Sequence, residues 1–424
     1  MQTIKFITLG CKVNQYDTQS IRESFLRQGY QEKCNSGPAD LYLINTCTVT
    51  ANADKKSRYA IHHSIKENPK AKVIITGCLV QKDHLVLTKI KGVTCVISKS
   101  FFREGISNFS EHTRAFLKIQ DGCNNHCSYC KVPFVRGASR SRALVTVVKE
   151  ARELVKNGFK EIVLTGICLG SYGKDLGKKL DLVDVIKALE GVEGLLRIRL
   201  SSIEAGDVSL RLINQMSNSK RLCRHLHIPM QSGDNEILKK MNRSYTREYY
   251  IDLVSKLKNL IPQIAITTDV LVGFPGESQS NFENTIRLIQ TVQPLKTHIF
   301  PFSDRKISTY NASEPPQKML NARLELVRLT AHESSQKYMK NFLNKKATVL
   351  IEGQVKLPGR VWEGYSDNYI KVHIHAPKMM RNSLVLVKFS KICAEYMLAD
   401  LHQESGRNAG VNFIQPIDNQ RNKC

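Results

Sequence analysis

Residues 115–130 read AFLKIQDGCNNHCSYC, a short run rich in apolar residues that passes through a glycine into three closely spaced cysteines. Ala115 to Gln120 has the length and composition of a strand, so Cys123, Cys127 and Cys130 fall in the loop directly after it. The pattern of strand and helical stretch repeats downstream. EIVLTG (161–166), LLRIRLSS (195–202), HLHIPM (225–230), AITTDVLVGF (265–274) and LKTHIF (295–300) read as five more strands. Helical patterns lie between them: residues 142–157 put Leu144, Val147, Val148, Ala151, Leu154 and Val155 on one stripe, and 246–261 and 279–292 look similar. Six β/α units predict an α/β fold with a partial (β/α)6, TIM-like barrel, whose chemistry belongs on the loops after the strands. Glycines 122, 166, 170, 173, 233, 273 and 276 follow the strand ends, where backbone turns sharply or approaches a ligand.

Upstream, IKFITLG (4–10), DLYLINT (40–46) and AKVIITG (71–77) alternate with helical stretches at 18–28 and 51–67. Short apolar strands separated by helices predict a parallel sheet covered on both faces, with any ligand site at the strand C-terminal ends. Each of these runs is followed at once by a cysteine: Cys11, Cys47 and Cys78. Downstream, 317–341 reads as a helix, after which the period falls to two. Runs 347–352, 369–374, 384–389 and 393–398, with Gly353, Gly359 and Gly364 as turns, predict a small β-barrel. Trp362, Tyr365 and Tyr369 lie among Arg360, Lys371 and Lys378, which reads either as a stacking surface for an oligonucleotide or as barrel core. The expected units are an N-terminal parallel-sheet domain over 1–110, the barrel over 111–340, the β-barrel over 341–402 and a flexible tail over 403–424.

A chain of 424 residues is long enough for roughly two to four domains. Its 42% hydrophobic content supports folded cores, and 63 basic against 38 acidic residues leave a net charge of +25. The excess is spread along the chain, +8 over 1–114, +12 over 115–340 and +4 over 341–402, so a basic tail is not its source. A field this extended suits a polyanion, nucleic acid above all. No apolar run reaches the ~18 residues of a membrane span, and MQTIKFITLG lacks the blocks of a secretory signal. The expected location is cytoplasmic, where twelve cysteines stay reduced and grouped thiols read as metal or redox sites.

The spacing of Cys123, Cys127 and Cys130 suits a [4Fe-4S] cluster: three thiolates on four irons leave one iron for a substrate or cofactor. Zinc would need a fourth ligand, for which His126 is the nearby candidate. The CxxxCxxC loop on the first strand of a six-unit barrel resembles the radical S-adenosylmethionine superfamily. That resemblance implies that S-adenosylmethionine chelates the open iron and is cleaved by one electron to a 5′-deoxyadenosyl radical, the cofactor supplying the chemistry that side chains cannot.

TLGCKVNQYD, INTCTVTANADKKSR and ITGCLVQ further resemble the amino-terminal cluster domain of the radical S-adenosylmethionine methylthiotransferases. VPFVRGASRSR, LTGICLGSYG, RIRLSSIEAGDVS, HLHIPMQSGDNEILKKMNRSYT, TTDVLVGFPGES and HIFPFSDR look like that family's barrel signatures, and 343–400 resembles its RNA-binding TRAM barrel. The resemblance implies two [4Fe-4S] clusters, one on Cys11, Cys47 and Cys78 and a second, S-adenosylmethionine-binding, on Cys123, Cys127 and Cys130. The second would start the radical at adenine C2, and the first would present methylated sulfur to it. Gly166, Gln231, Gly273, Gly276 and Glu277, at strand ends, read as cofactor contacts or as turn and cap residues. The implied partners are tRNA, through its anticodon stem-loop, an electron donor and a sulfur donor, with no membrane. CKVNQYD and CTVTANADKKSR look most like the branch that makes 2-methylthio-N6-threonylcarbamoyladenosine at position 37. The alternatives are isopentenyladenosine tRNA and a ribosomal protein side chain. Ala205, Cys168 and Lys306-Ile307-Ser308-Thr309 depart from the family pattern, and Cys168 is expected not to bind iron.

Overall fold

The computed structural model describes residues 1–34, 37–98, 105–110, 112–177, 180–303 and 315–402. In the first unit β1 (Thr3–Thr8), β2 (Gln31–Glu32), β3 (Leu41–Thr46), β4 (Lys72–Gly77) and β5 (Cys95–Val96) form one parallel sheet in the order β2-β1-β3-β4-β5. The crossovers are α1 (Lys12–Arg27), α2 (Ala51–Glu67) and α3 (Cys78–Thr88). All six residues of β3 are buried, as a central parallel strand covered on both faces requires. Helix α1 starts six residues before the stretch its apolar period marks. The reason is polar: Asn14 is wholly buried, its amide donating to the carbonyls of Leu9 (2.6 Å) and Thr46 (3.0 Å).

The central unit carries β6 (Arg114–Lys118), the hairpin strands β7 (Gln120–Asp121) and β8 (Arg140–Ser141), then β9 (Glu161–Thr165), β10 (Arg197–Leu200), β11 (His225–His227), β12 (Ala265–Val272) and β13 (Lys296–Pro301). Two parallel sheets, β10-β9-β6 and β11-β12-β13, are joined by bridges Ile198↔Leu222 and Ser202↔His227, giving one open six-strand arc. Helices α4 (Val132–Arg136), α5 (Leu144–Lys156), α6 (Leu182–Glu190), α7 (Leu210–Asn218), α8 (Asn235–Lys240), α9 (Arg247–Leu260) and α10 (Gln279–Val292) connect them. Leu117, Ile162, Ile198, Leu226 and Ile266 alternate outward into one apolar cluster with Val147, Ala151 and Leu154 of α5. The inward positions include Arg114, Lys118, Glu161, Arg197, Arg199, His225, His227 and Asp269 beside apolar Phe116, Val163 and Leu271, and these charges set the lumen apart from the packed aliphatic core of a closed barrel.

Helix α11 (Gln317–Lys340) leads into a closed five-strand barrel, β14 (Lys346–Gln354), β15 (Val361–Ser366), β16 (Lys371–His375), β17 (Leu384–Ile392) and β18 (Met397–Leu401), ordered β14-β15-β16-β18-β17. This barrel corrects the expected strands in three places. Val361–Ser366 is a strand, with Gly364 inside it, where a Cβ would run into the backbone of Leu350. Gly353 lies in β14 beside a register shift, while Gly359, with φ +86°, is the turn residue. The expected strand at 393–398 falls at 397–401. The close approach of β14 and β15 selects a small residue at Gly364 for steric reasons, and that mimics a turn signal.

The first unit docks on the barrel through α1. Tyr16 donates to Glu150 (2.7 Å) and accepts from Arg142 (2.9 Å), Asp17 pairs with Lys118, and Glu23 takes the backbone N–H groups of Ser107 and Asn108. No helix among the described residues is long and apolar enough to cross a membrane.

Candidate functional site

Cys11, Cys47 and Cys78 follow β1, β3 and β4 directly, so the parallel register carries all three to one sheet edge. Two glycines make the approach possible. Gly10 and Gly77 both have φ +106°; a Cβ on Gly10 would lie 3.0 Å from the Cys47 sulfur, and one on Gly77 would enter the backbone of Thr46. Cys47 and Cys78 are buried, while Cys11 is exposed. Asn14, which ties the ends of β1 and β3, also lies 4.0 Å from the Cys78 sulfur.

Cys123, Cys127 and Cys130 occupy the loop after β7, all half-buried. Backbone N–H groups of Asn125 and Val132 point at the sulfurs of Cys123 and Cys130, each at 3.4 Å. Such donors favour thiolate. The Cys123 thiol is held down to about 7, first by a hydrogen bond with Cys168 and then by the Asn125 N–H. Burial pushes Cys127 up to about 11 against the nearby Arg243 guanidinium, and Arg243 itself is paired with Glu204.

One barrel side chain reaches into the first thiol pocket. Arg136 closes α4, six residues past the last cysteine of the barrel loop, and its side chain is 2% exposed. It binds Asp121 of the barrel (2.7 Å) and Asn14 of the first unit, with Asp17 at 3.8 Å. Burial opposes its charge, but Asp121, Cys78, Asp17 and Cys11 together raise its pKa. A cation on the helix that follows the barrel's cysteine loop therefore acts on the first-unit thiols.

Three soft thiol donors per set suit an iron–sulfur cluster with an open iron. His126, the candidate closing ligand for zinc, is exposed and is anchored by its carbonyl to Asn242 (2.7 Å). The fourth thiol in the barrel pocket is instead Cys168. It is 4% exposed, its sulfur accepts from Ser171 (3.0 Å), and it hydrogen bonds with Cys123. Sequence spacing does not pair residues 45 positions apart; only the adjacency of β6 and β9 brings their loops together.

The expected cofactor contacts divide. Gly166 lies against Gln120, which bonds Gly122 in the turn before Cys123 and takes the Cys168 N–H. Gln231, at φ +60°, bridges to β12 through Asp269 and Leu271. Gly273, Gly276 and Glu277 form the turn after β12. There the Glu277 carboxylate accepts from Gly273 N–H (2.9 Å) and pairs with Arg323 of α11 (3.0 Å), both partners nearly fully buried. Burial dominates and raises the Glu277 pKa. These contacts give Glu277 a structural task. Ala205 is fully buried in a short 3-10 turn, and residues 306–309 lie outside the described residues.

The polar lumen escapes the reading of apolar runs, although alternation in Arg197-Ile198-Arg199-Leu200 and His225-Leu226-His227-Ile228 marks it. Glu161 sits at its base with Arg199 (2.6 Å), Arg197 (3.7 Å) and Arg114 (3.9 Å), and further up His227 pairs with Asp269 (3.2 Å) near His298. The β-barrel closes the base. Arg199 donates to the carbonyls of Ser366 and Asp367, and Tyr369 stacks on His225 at 4.4 Å and on Tyr365 at 5.0 Å, with Arg114 over both tyrosines. Tyr365 and Tyr369 thus belong to an internal joint and Trp362 to barrel core, so of the two readings of these aromatics the packed one holds.

Comparison with known proteins adds what geometry does not. Residues 117–289 match the model of the radical SAM superfamily, and residues 3–98 that of uncharacterized protein family UPF0004. The threonylcarbamoyladenosine tRNA methylthiotransferase MtaB of Bacillus subtilis is 37% identical, with 92% of this chain and 94% of the relative covered. The tRNA-2-methylthio-N(6)-dimethylallyladenosine synthase of Lachnoclostridium phytofermentans is 33% identical over 95% and 96%. Among solved structures, the radical S-adenosylmethionine methyltransferase TsrM of Kitasatospora setae superposes with a TM-score of 0.52 at 14% identity, covering 71% of this chain and 75% of that one. That likeness speaks to fold.

Proposed function

The chain belongs to the radical S-adenosylmethionine methylthiotransferase family, and from that premise we propose that it methylthiolates C2 of N6-threonylcarbamoyladenosine at position 37 of tRNA. In this reading Cys123, Cys127 and Cys130 hold the [4Fe-4S] cluster that binds S-adenosylmethionine, and Cys11, Cys47 and Cys78 hold a second [4Fe-4S] cluster. When bound, these groups supply one-electron cleavage of the sulfonium, hydrogen removal from an unactivated carbon, and the sulfur and methyl that replace the hydrogen. The observation that carries the proposal is Arg136, which binds Asn14 in the first thiol pocket while ending the helix after the second. That contact ties the first thiol pocket to the barrel segment that carries the second thiol set.

The chain's own residues then have distinct work. Gly10 and Gly77 let the first three thiols converge, and Arg136 offsets negative charge gathered there. Asn125 and Val132 N–H groups stabilise thiolate on the second set. The polar lumen receives the base and its modification, and the spread of positive charge holds the RNA by its phosphates. The threonylcarbamoyl branch rests on the Bacillus subtilis relative.

The test is an anaerobic reaction of reconstituted protein with reductant, S-adenosylmethionine and a sulfur source. It is run on tRNA carrying threonylcarbamoyladenosine or dimethylallyladenosine, with 5′-deoxyadenosine and nucleosides measured by mass spectrometry. The expected result is 5′-deoxyadenosine together with the 2-methylthio product from the first substrate. Faster turnover of the dimethylallyl RNA, or product only on a protein, would move the chain to another branch of the family.

A further inference from the structure

Between the cysteine loop and the β-barrel that closes the base, the lumen carries three polar side chains on adjoining strands. Asp269 of β12 and His298 of β13 are register partners and so share the inward face, and His227 of β11 brings its Nε2 to 3.2 Å from an Asp269 oxygen. One ring nitrogen from each histidine and one carboxylate oxygen all lie within 4.8 Å of one another. Contacts fix the height of this group at both ends. Leu271, the next inward residue along β12 and about 7 Å further up, packs in one cluster with Tyr129 of the loop that carries Cys127 and Cys130. His225, the inward residue below His227, lies under Tyr369 of the β-barrel.

The group is held in place but not saturated. His227 is fixed by Thr267, whose hydroxyl meets its Nδ1 and the Nε2 of His225, each at 2.9 Å. The second Asp269 oxygen and the His298 ring nitrogens have no hydrogen-bond partner among the described residues. The outward neighbours Leu226 and Val270 are fully buried, whereas the His227 and Asp269 side chains are 16% and 24% exposed, so the space they reach is the lumen. Burial lowers the His298 pKa against the pull of Asp269, so the ring meets a ligand neutral, with an N–H to donate. A carboxylate acceptor beside a neutral N–H donor suits a ligand that offers the reverse pair.

We propose that Asp269 and His298 read the urea linkage of the threonylcarbamoyl group, Asp269 accepting from its N–H and His298 donating to its carbonyl, with His227 positioning Asp269. This rests on the threonylcarbamoyl reading of the substrate. C2 and C6 of adenine flank the same ring nitrogen, so a base with C2 at the cysteine loops carries its N6 substituent into the neighbouring space. A dimethylallyl group offers only N6–H and hydrocarbon, which leaves the His298 N–H unanswered, and a site built to donate a hydrogen bond discriminates against such a ligand.

The experiment uses reconstituted full-length enzyme and three anticodon stem-loop RNAs, bearing threonylcarbamoyladenosine, N6-carboxypropyladenosine or dimethylallyladenosine. The carboxypropyl group keeps N6–H and a terminal carboxylate at the same span but has methylenes in place of the urea. Wild-type protein should bind the urea RNA about tenfold or more tighter than the carboxypropyl RNA. His298→Phe should narrow that preference by about three- to tenfold, and His298→Gln, which keeps an N–H, should restore most of it. Asp269→Asn should weaken the urea RNA by about ten- to hundred-fold and the carboxypropyl RNA by less. All three variants should keep the wild-type iron content and the wild-type Kd for S-adenosylmethionine. Equal losses on the two RNAs would overturn the proposal, and a weakened Kd for S-adenosylmethionine would overturn it by assigning the pair to that cofactor. So would a non-cluster metal ion that is present in wild-type protein and lost in His298→Phe. If wild-type enzyme binds the urea and carboxypropyl RNAs alike yet turns over the urea RNA before the dimethylallyl one, the urea contact falls and the substrate reading stands. If it modifies only the dimethylallyl RNA, both fall.

Discussion

Gly10 and Gly77 work at the scale of single atoms: a methyl group at either would occupy space that Cys47 or Thr46 already fills. The thiols they admit divide into two sets, and iron counting tests the division. Reconstituted wild-type protein should bind about eight irons, since each set of three thiolates holds one four-iron cluster. Alanine at Cys123, Cys127 and Cys130 should leave about four irons and abolish 5′-deoxyadenosine. Alanine at Cys11, Cys47 and Cys78 should also leave about four yet keep 5′-deoxyadenosine formation, with no methylthio product. Cys168 is the sharper case, because its thiol bonds to Cys123 inside the same pocket. Cys168→Ser should retain full iron content and S-adenosylmethionine cleavage; a loss of about four irons would make it a ligand.

Among the elements, β11 shows how one unit reports on another. His225 is held neutral far below its ordinary value, first by burial and then by the Arg199 charge, with its Nε2 on Thr267 and its ring under Tyr369. The unfolded chain takes up this proton near pH 6.5, the folded chain only well below that. The neutral-state advantage is therefore complete above about pH 6.5 and is lost as pH falls toward the folded value. Acid should loosen the joint between arc and β-barrel. His225→Gln should reduce the slope of stability against pH below about pH 6.5 by up to ~1.4 kcal/mol per pH unit, read from urea unfolding at several pH values. An unchanged slope would mean that the histidine charges without opening the joint.

For the whole molecule the relevant quantity is the field. Exposed Lys356, Lys378 and Arg381 lie on the loops that flank Gly359 and Asn382 at one end of the β-barrel. Removing one cation from a phosphate should lower the slope of log affinity against log salt by about 0.9 on duplex RNA or about 0.7 on single strands. Glutamine at all three should flatten that slope by about 1–3 and weaken every tRNA alike, without changing the choice between modified bases. A changed preference would show that this barrel reads sequence. Neutralising the loops tests this more cleanly than removing the β-barrel, because the barrel supplies the carbonyls on Arg197 and Arg199 and the tyrosines that cap the lumen.

The order of strands and the two cysteine sets were legible in the sequence because both depend on short-range pattern. A strand shows its apolar run locally, and a loop cysteine shows its spacing to the next. What spacing could not reach is whatever depends on which strands become neighbours. Cys168 meets Cys123 only because β9 pairs with β6, and Arg136 meets Asn14 only because α1 docks on the barrel. The start of α1 was hidden because buried Asn14 is held there by hydrogen bonds, which leave no apolar period. Sequence left Tyr365 and Tyr369 open between an RNA-facing surface and core; the tertiary structure turned them inward, where Arg114, Arg199 and His225 provide the stacking partners. Local sequence determined the elements and the donor atoms, whereas packing decided which of those atoms meet, because contacts between distant segments follow strand pairing and docking and leave no local pattern.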